Sequence, residues 1–238
     1  MAKKTKPPKT PSKWVGPSSP FKASKLLDLL KSKRRGKLIT VEGLDRCGKS
    51  TLITSLSKRL TEAKIPFKVV EMFPKSSLQE LVEWNETFTP LQRTLLMKLN
   101  ADQARIRVSS ALEEDVLVIC EGGGDTFMAY QGFGEDLLPE VWTLDTLFEA
   151  FPIPDLTLFL DIPVSTAAER HTHTHRRSVF EFQKNTKFLS RAREGFRYIG
   201  RHFPRVKTLD ATLAPEHVLS DALIEIDVLL QSVRQSRT

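Results

Sequence analysis

Cysteine is nearly missing from this chain: its 238 residues include two, Cys47 and Cys120. Two cysteines cannot build a disulfide framework, so a reducing compartment is expected. Long apolar runs are missing as well. No stretch approaches the roughly 18 residues that a membrane-spanning helix requires. The N-terminus is basic and proline-rich and contains no apolar h-region, so no secretory signal is expected. The main body also lacks a surplus of one charge. Of a net +7, residues 1–36 supply eleven Lys/Arg against one acid, Asp28, while residues 37–238 carry twenty-five against twenty-eight. The high pI therefore belongs to a tail, which argues against nucleic-acid binding by the body itself.

Residues 1–20 are rich in Lys, Pro and Ser, a composition that cannot build a core and is expected to be disordered. Phe21 to Leu30 has the spacing of a short helix, and Lys31 to Lys37 is a basic cluster. That cluster reads as a nuclear address, a polyanion contact or a solvated linker. A mitochondrial presequence is a further reading, although the prolines oppose an amphipathic helix. The chain thus divides into a tail, 1–36, and a body, 37–238. Cytoplasm or nucleus is the expected compartment, with the mitochondrion as an alternative.

From residue 37 onward, apolar strand-like runs alternate with helical patterns. Strands are predicted at 37–42, 67–72, 116–121 and 156–161, with a fifth around 205–209. Helices are predicted at 50–63, 91–113, 137–149, 164–171, 182–200 and 215–232. This alternation predicts an α/β fold: a five-stranded parallel sheet in a three-layer α/β/α arrangement. Ligands of such sheets gather at the carboxyl ends of the strands, which here carry Glu42, Phe73-Pro74, Glu121 and Asp161.

The segment after the first strand reads Gly43-Leu44-Asp45-Arg46-Cys47-Gly48-Lys49-Ser50-Thr51, a complete G-x-x-x-x-G-K-[ST] phosphate loop. Its glycines let the backbone curl around an anion, and the helix that follows adds its positive end. Lys49 supplies a cation for β- and γ-phosphates, and the Ser50 hydroxyl suits Mg²⁺. Arg46 is placed to act as an internal arginine finger. ATP and Mg²⁺ are the implied nucleotide and metal.

Residues 41–51 resemble the opening of thymidylate kinases, P-loop enzymes that phosphorylate dTMP with ATP. Phe73-Pro74 fits the eukaryotic and viral branch of that family. Asp125-Thr-Phe-Met-Ala-Tyr-Gln-Gly132 resembles its S-x-x-A-Y-Q-G segment, and Ala168-Glu-Arg170 resembles the start of its lid, where Arg170 would lie against adenine. Phe180-Glu181, Arg191-Ala-Arg193 and Phe196 are similar to the lid exit and the helix behind it. The resemblance covers about residues 37–232 and places a lid at 171–181. It implies that Asp45 binds the acceptor sugar and that Glu121 organises Mg²⁺ or the acceptor. Phe73, Lys75, Gln103, Thr126 and Tyr130 would line the acceptor site, and the lid residues Arg176 and Arg177 would close over the phosphates. A homodimer is common in the family.

Three departures stand out. The family's Asp-Arg-aromatic triplet reads Glu121-Gly122-Gly123, the Arg after Phe-Pro is replaced in Lys75-Ser76, and Ala-Asp-Arg becomes Ala101-Asp102-Gln103. Arg93 or Arg105 could compensate, and Met97 or Leu99 could stand where the family stacks a Phe. Gly122-Gly123-Gly124 reads either as a close approach to ligand or as a flexible turn. His171, His173 and His175 alternate, but no Cys or carboxylate completes a metal set with them. The expected activity is phosphorylation of a deoxynucleoside monophosphate, dTMP to dTDP. The alternatives are a nucleotide-binding protein with little catalysis and a deoxynucleoside kinase. Contact between the basic tail and nucleic acid is a further expectation, and membrane association is not expected.

Overall fold

A computed structural model describes residues 36–73, 88–147, 151–172 and 186–236. The tail readings, Lys75 and Arg176-Arg177 lie outside the described residues. Strand β1 (Lys37–Gly43) leads into helix α1 (Lys49–Glu62), and β2 (Phe67–Glu71) is followed by α2 (Pro90–Glu113). Then come β3 (Leu117–Glu121), the short α3 (Gly124–Phe127), a π-helical segment (Met128–Gly134) and α4 (Leu138–Leu147). Strand β4 (Leu156–Asp161), α5 (Val164–Thr172), α6 (Thr186–His202), β5 (Val206–Asp210) and α7 (Pro215–Ser236) complete the chain.

The five strands are parallel, in the order β2-β3-β1-β4-β5. Strand β1 lies at the centre because it is apolar enough to be covered on both faces: every residue from Leu38 to Gly43 is buried. Alternation along the strand sends Ile39 and Val41 to one face and Leu38, Thr40 and Glu42 to the other. On the first face Leu52, Leu56 and Leu60 of α1, with Val218, Ala222 and Ile226 of α7, pack against Ile39, Val41, Ile119 and Leu158. The second face has two neighbouring clusters. Met97, Val108 and Leu112 of α2 join Leu38, Val118 and Cys120, while Phe188, Ala192 and Phe196 of α6 pack against Phe159. Helices thus cover both faces, as the alternating pattern predicts.

Helix α2 starts where its sequence dictates. Thr89 and Gln92 form a reciprocal capping box, and Pro90 occupies the first turn, where no donor is required of it. The predicted elements match the observed ones closely, except between β3 and α4. There Gly122-Gly123-Gly124 reads as a close approach to ligand or a flexible turn, with no helix predicted, yet Gly124 opens α3 and the chain continues as the π segment. Close packing holds this segment: a Cβ at Gly134 would lie 2.6 Å from the ring of Phe188 on α6. No helix among the described residues is long and apolar enough to cross a membrane.

Candidate active site

The phosphate loop lies between β1 and α1, at the carboxyl end of the central strand. Gly43 and Gly48 have φ of 137° and 108°, a region open to glycine at little steric cost. Arg46 is also left-handed, with φ of 68°, so the loop holds a bulky residue in a disfavoured conformation. Leu44 and Cys47 point into the core, 1% and 2% exposed, and anchor the loop from below. Their side chains are packing residues, leaving only their backbone to meet a nucleotide. Thr51 is exposed in the first turn of α1.

Lys49 folds back across the loop. Its ammonium donates to the carbonyls of Gly43 and Leu44, both at 3.1 Å, and sits 3.8 Å from the Asp45 carboxylate. Burial pulls the lysine's pKa down, but Cys47, Asp45, Glu121 and Glu42 more than offset this, leaving it above the ordinary value. The cation is thus retained at any physiological pH.

Ser50 donates a 2.9 Å hydrogen bond to Glu121, which ends β3. The two residues named as metal candidates are therefore brought together, 71 positions apart in sequence. A hydroxyl and a carboxylate are hard oxygen donors, and Mg²⁺ takes few protein ligands, filling its shell with phosphate and water. The pair fits that ion. Among the described residues no group of three His, Cys, Asp or Glu side chains could hold a metal by itself.

Arg170, at the end of α5, donates to the carbonyls of Arg46 and Cys47, each at 3.3 Å, and to Ala211 at 3.0 Å. It clamps the loop to the segment after β5. Asp161 is engaged too: Arg193 grips it with two bonds, at 2.6 and 3.1 Å, and Arg197 adds two more.

Beside the loop is a cleft lined by Asp45, Phe73, Arg93, Thr94, Met97, Thr126, Tyr130, Gln131, Glu135 and Phe188. Four of the six acceptor candidates, Asp45, Phe73, Thr126 and Tyr130, meet here. Lys75 lies outside the described residues. Gln103 requires correction: it is exposed and does not line the cleft. Helical spacing from Met97 brings Ala101, Ala104 and Val108 inward, so Gln103 falls on the outer side. Of the alternatives, Arg93 and Met97 enter the cleft. Leu99 is 43% exposed, and Arg105 pairs with Asp102 at 2.6 Å beside a separate, smaller pocket.

Tyr130 joins cleft and loop: its phenol oxygen accepts the backbone N–H of Asp45 at 2.9 Å. Burial pushes the phenol's pKa well above the usual range, so it stays un-ionised. Behind the cleft, Glu42 is completely buried, and Thr126 donates to its Oε2. Burial, reinforced by Asp125, pushes the Glu42 pKa up to about 8. Asp125 is held by Arg205 through bonds of 2.6 and 2.8 Å. Gly122, at φ 78°, needs glycine for its conformation. A Cβ on Gly123 would come within 3.0 Å of Glu42 Oε1. The triplet is thus a packed turn, with no room in it for a large side chain at Gly123.

Sequence reasoning placed Glu42 at a ligand-bearing strand end and Gln131 in a motif segment without giving either a role, and it missed Glu135 and Phe188. Glu42 was readable, since strand alternation puts it on the same face as Thr40. Gln131 and Glu135 depend on the π segment, which leaves no periodic signature.

A family model described as thymidylate kinase matches residues 41–222. Relatives include a probable thymidylate kinase of Metallosphaera sedula, 32% identical over 82% of this chain and 94% of its own length. Thymidylate kinases of Acinetobacter baylyi and Alkalilimnicola ehrlichii are 31% and 30% identical, over 81% and 78% of this chain and 99% and 90% of theirs. A phosphate loop with its lysine and Ser–Glu pair in place, opening onto a largely apolar cleft, agrees with these comparisons: the chain belongs to the thymidylate kinase family.

Proposed function

We infer that this protein transfers the γ-phosphoryl group of ATP to a deoxynucleoside monophosphate, converting dTMP to dTDP. The observation that carries this reading is Asp45, which belongs at once to the phosphate loop and to the lining of the neighbouring cleft. Donor and acceptor sites share a wall there, as direct transfer requires. Membership of the family favours this reading over a deoxynucleoside kinase or an inert nucleotide binder.

A phosphate oxygen of the acceptor attacks the γ-phosphorus in line, forming one P–O bond as the bond to the ADP oxygen breaks. The acceptor phosphate is already ionised, so no side chain has to remove a proton. Lys49 and Arg46 stabilise the charge spread over the transferring group. Ser50 and Glu121 would hold Mg²⁺, which supplies Lewis-acid neutralisation of the phosphate oxygens. Asp45 orients the acceptor, with Phe73, Thr126 and Tyr130 shaping its cleft. Lys75, Arg176 and Arg177 supply cations in place of the absent family arginines. Arg170, by clamping the loop, keeps its geometry fixed between turnovers.

A homodimer belongs to the same proposal. Leu91, Leu95, Leu99 and Ile106 form an exposed apolar stripe along α2, at 42%, 38%, 43% and 56% exposure. The low cysteine count suits a cytoplasmic or nuclear setting.

ADP release with Mg-ATP tests the reading, using dTMP, dUMP, dCMP, dGMP, thymidine and no acceptor, with Lys49→Ala as the control. Turnover that requires a monophosphate, is greatest with dTMP and is lost in the variant is expected. Turnover with thymidine alone, or none with any acceptor, would overturn it.

A further inference from the structure

The carbonyls of the phosphate loop are tied down from several directions. Lys49 takes those of Gly43 and Leu44, and Arg170 takes those of Arg46 and Cys47. The carbonyl of Gly48 accepts the N–H of Leu52 at 3.0 Å. Carbonyls engaged in this way are kept from turning inward, where their lone pairs would repel a phosphate.

One peptide unit of the loop, between Leu44 and Asp45, is held at both ends. Its carbonyl accepts from Lys49 Nζ and from the Cys47 N–H, each at 3.1 Å. Its N–H donates to the phenol oxygen of Tyr130 at 2.9 Å. A peptide unit is planar, so its two ends cannot turn independently. Tyr130 lines the cleft, and Lys49 is the cation of the phosphate loop. A single rigid plane therefore joins a wall of the cleft to that lysine. The ring of Tyr130 is itself supported: Phe188 and Phe196 of α6 pack on it with centroids 5.8 and 6.0 Å away.

A phosphate entering the loop competes for Lys49, because a charged oxygen is a stronger acceptor than a carbonyl. As the lysine turns to it, the Leu44 carbonyl gives up one of its donors. Tyr130 then anchors the plane through the Asp45 N–H and opposes its rotation toward the nucleotide.

We propose that Tyr130 is a positioning residue for the donor site: through the Leu44–Asp45 plane it sets where Lys49 and the loop carbonyls stand, and so makes ATP affinity depend on what fills the cleft. This rests on the reading of the cleft as the acceptor site and adds a regulation of the neighbouring loop. A nucleotide in the cleft packs against the Tyr130 ring, fixes the phenol oxygen, and so fixes the plane before ATP arrives. By linkage the effect is reciprocal, and ATP tightens the cleft by the same factor.

Tyr130→Phe removes one oxygen and keeps the ring, so the cleft wall stays in place. Calorimetry gives the affinity of a non-hydrolysable ATP analogue with Mg²⁺, alone and with saturating dTMP, for the wild type and the variant. Steady-state kinetics give kcat and each KM, and a melting curve checks the fold. In the wild type dTMP is expected to tighten the analogue by about fivefold or more, and in Tyr130→Phe by less than about twofold. The analogue alone should bind the variant roughly five- to tenfold more weakly, as loss of one hydrogen bond implies. KM for ATP rises and kcat falls, while the affinity for dTMP alone stays within about twofold, a split that general loosening of the fold would not give. A coupling factor equal in the two proteins, or a wild-type factor of one, overturns the proposal. Failure of the activity reading looks different. A protein without turnover in which analogue and dTMP tighten each other, and cease to do so in Tyr130→Phe, keeps the coupling and refutes the kinase. Turnover of dTMP with every constant unchanged in Tyr130→Phe keeps the kinase and refutes the coupling.

Discussion

Replacing Glu42 by Gln should change how stability depends on pH, and the size of the change follows from the surroundings of this carboxyl. The side chain is 0% exposed, and Asp125 adds to the cost of ionising it. Lys49 and Arg205 pull the other way without cancelling the effect, and the folded pKa is about 8 against an ordinary 4.5. The folded protein therefore holds a proton that the unfolded chain has released anywhere between those values. Stability from this group is full below pH 4.5, declines as pH rises, and is gone above about pH 8. Gln keeps the shape and cannot titrate. The stability of Glu42→Gln minus that of the wild type should then climb by about 1.4 kcal/mol per pH unit, or roughly 4 kcal/mol between pH 5 and 8. That is a large part of the 5–15 kcal/mol typical of a domain, so the effect is easy to read. Urea unfolding of both proteins at pH 5, 6, 7 and 8 measures it, with titrating groups remote from Glu42 cancelling in the difference. Parallel curves would refute the reasoning, because they would mean that Glu42 is ionised in the folded state throughout this range.

Arg205→Met strands Asp125, whose side chain is 8% exposed, and should cost about 3–5 kcal/mol in chemical denaturation. A loss below 1 kcal/mol would mean that water reaches the carboxylate. Gly123→Ala places a methyl 2.9 Å from Thr40 Cγ2 and 3.0 Å from Glu42 Oε1, and should lower stability by about 1–3 kcal/mol. The backbone there is extended at φ −169°, so an unchanged melting temperature would show that the neighbours yield. Glu121→Gln should raise the Mg²⁺ concentration needed for half-maximal turnover by roughly tenfold, the equivalent of about 1.4 kcal/mol. An unchanged Mg²⁺ titration would remove Glu121 from the metal's surroundings.

Much of the donor side could be read from the sequence because it is local. The phosphate loop is nine consecutive residues between a strand and a helix, and both elements announce themselves by period. Even the Ser50–Glu121 pair was accessible, since parallel strands bring their carboxyl ends together. The acceptor side was harder for a physical reason. Its residues come from the phosphate loop, the end of β2, α2, α3, the π segment and α6, and their orientation depends on how those elements pack. On α2 the family motif invited Gln103 into the cleft, but the helix face is set by Met97 and Ala101, which point the same way one turn apart. Leu44 and Cys47 belong to the loop motif, yet their side chains serve the core. Glu42 could be placed at a strand end where ligands gather, but its complete burial and raised pKa show only once helices cover that face of the sheet.

The π segment has a consequence for how this enzyme could acquire a different acceptor. Adjacent positions on a helix differ by about 100° in direction. Losing one residue between Tyr130 and Glu135 would therefore re-aim whatever follows, without altering the chemistry of any side chain. Tyr130 is tethered to the loop by its bond to Asp45, and Phe188 holds Gly134 from the other side. The stretch between them behaves as a spacer of fixed span. Insertions and deletions there, more than substitutions, would set which groups face the base, making segment length an inheritable dial on specificity.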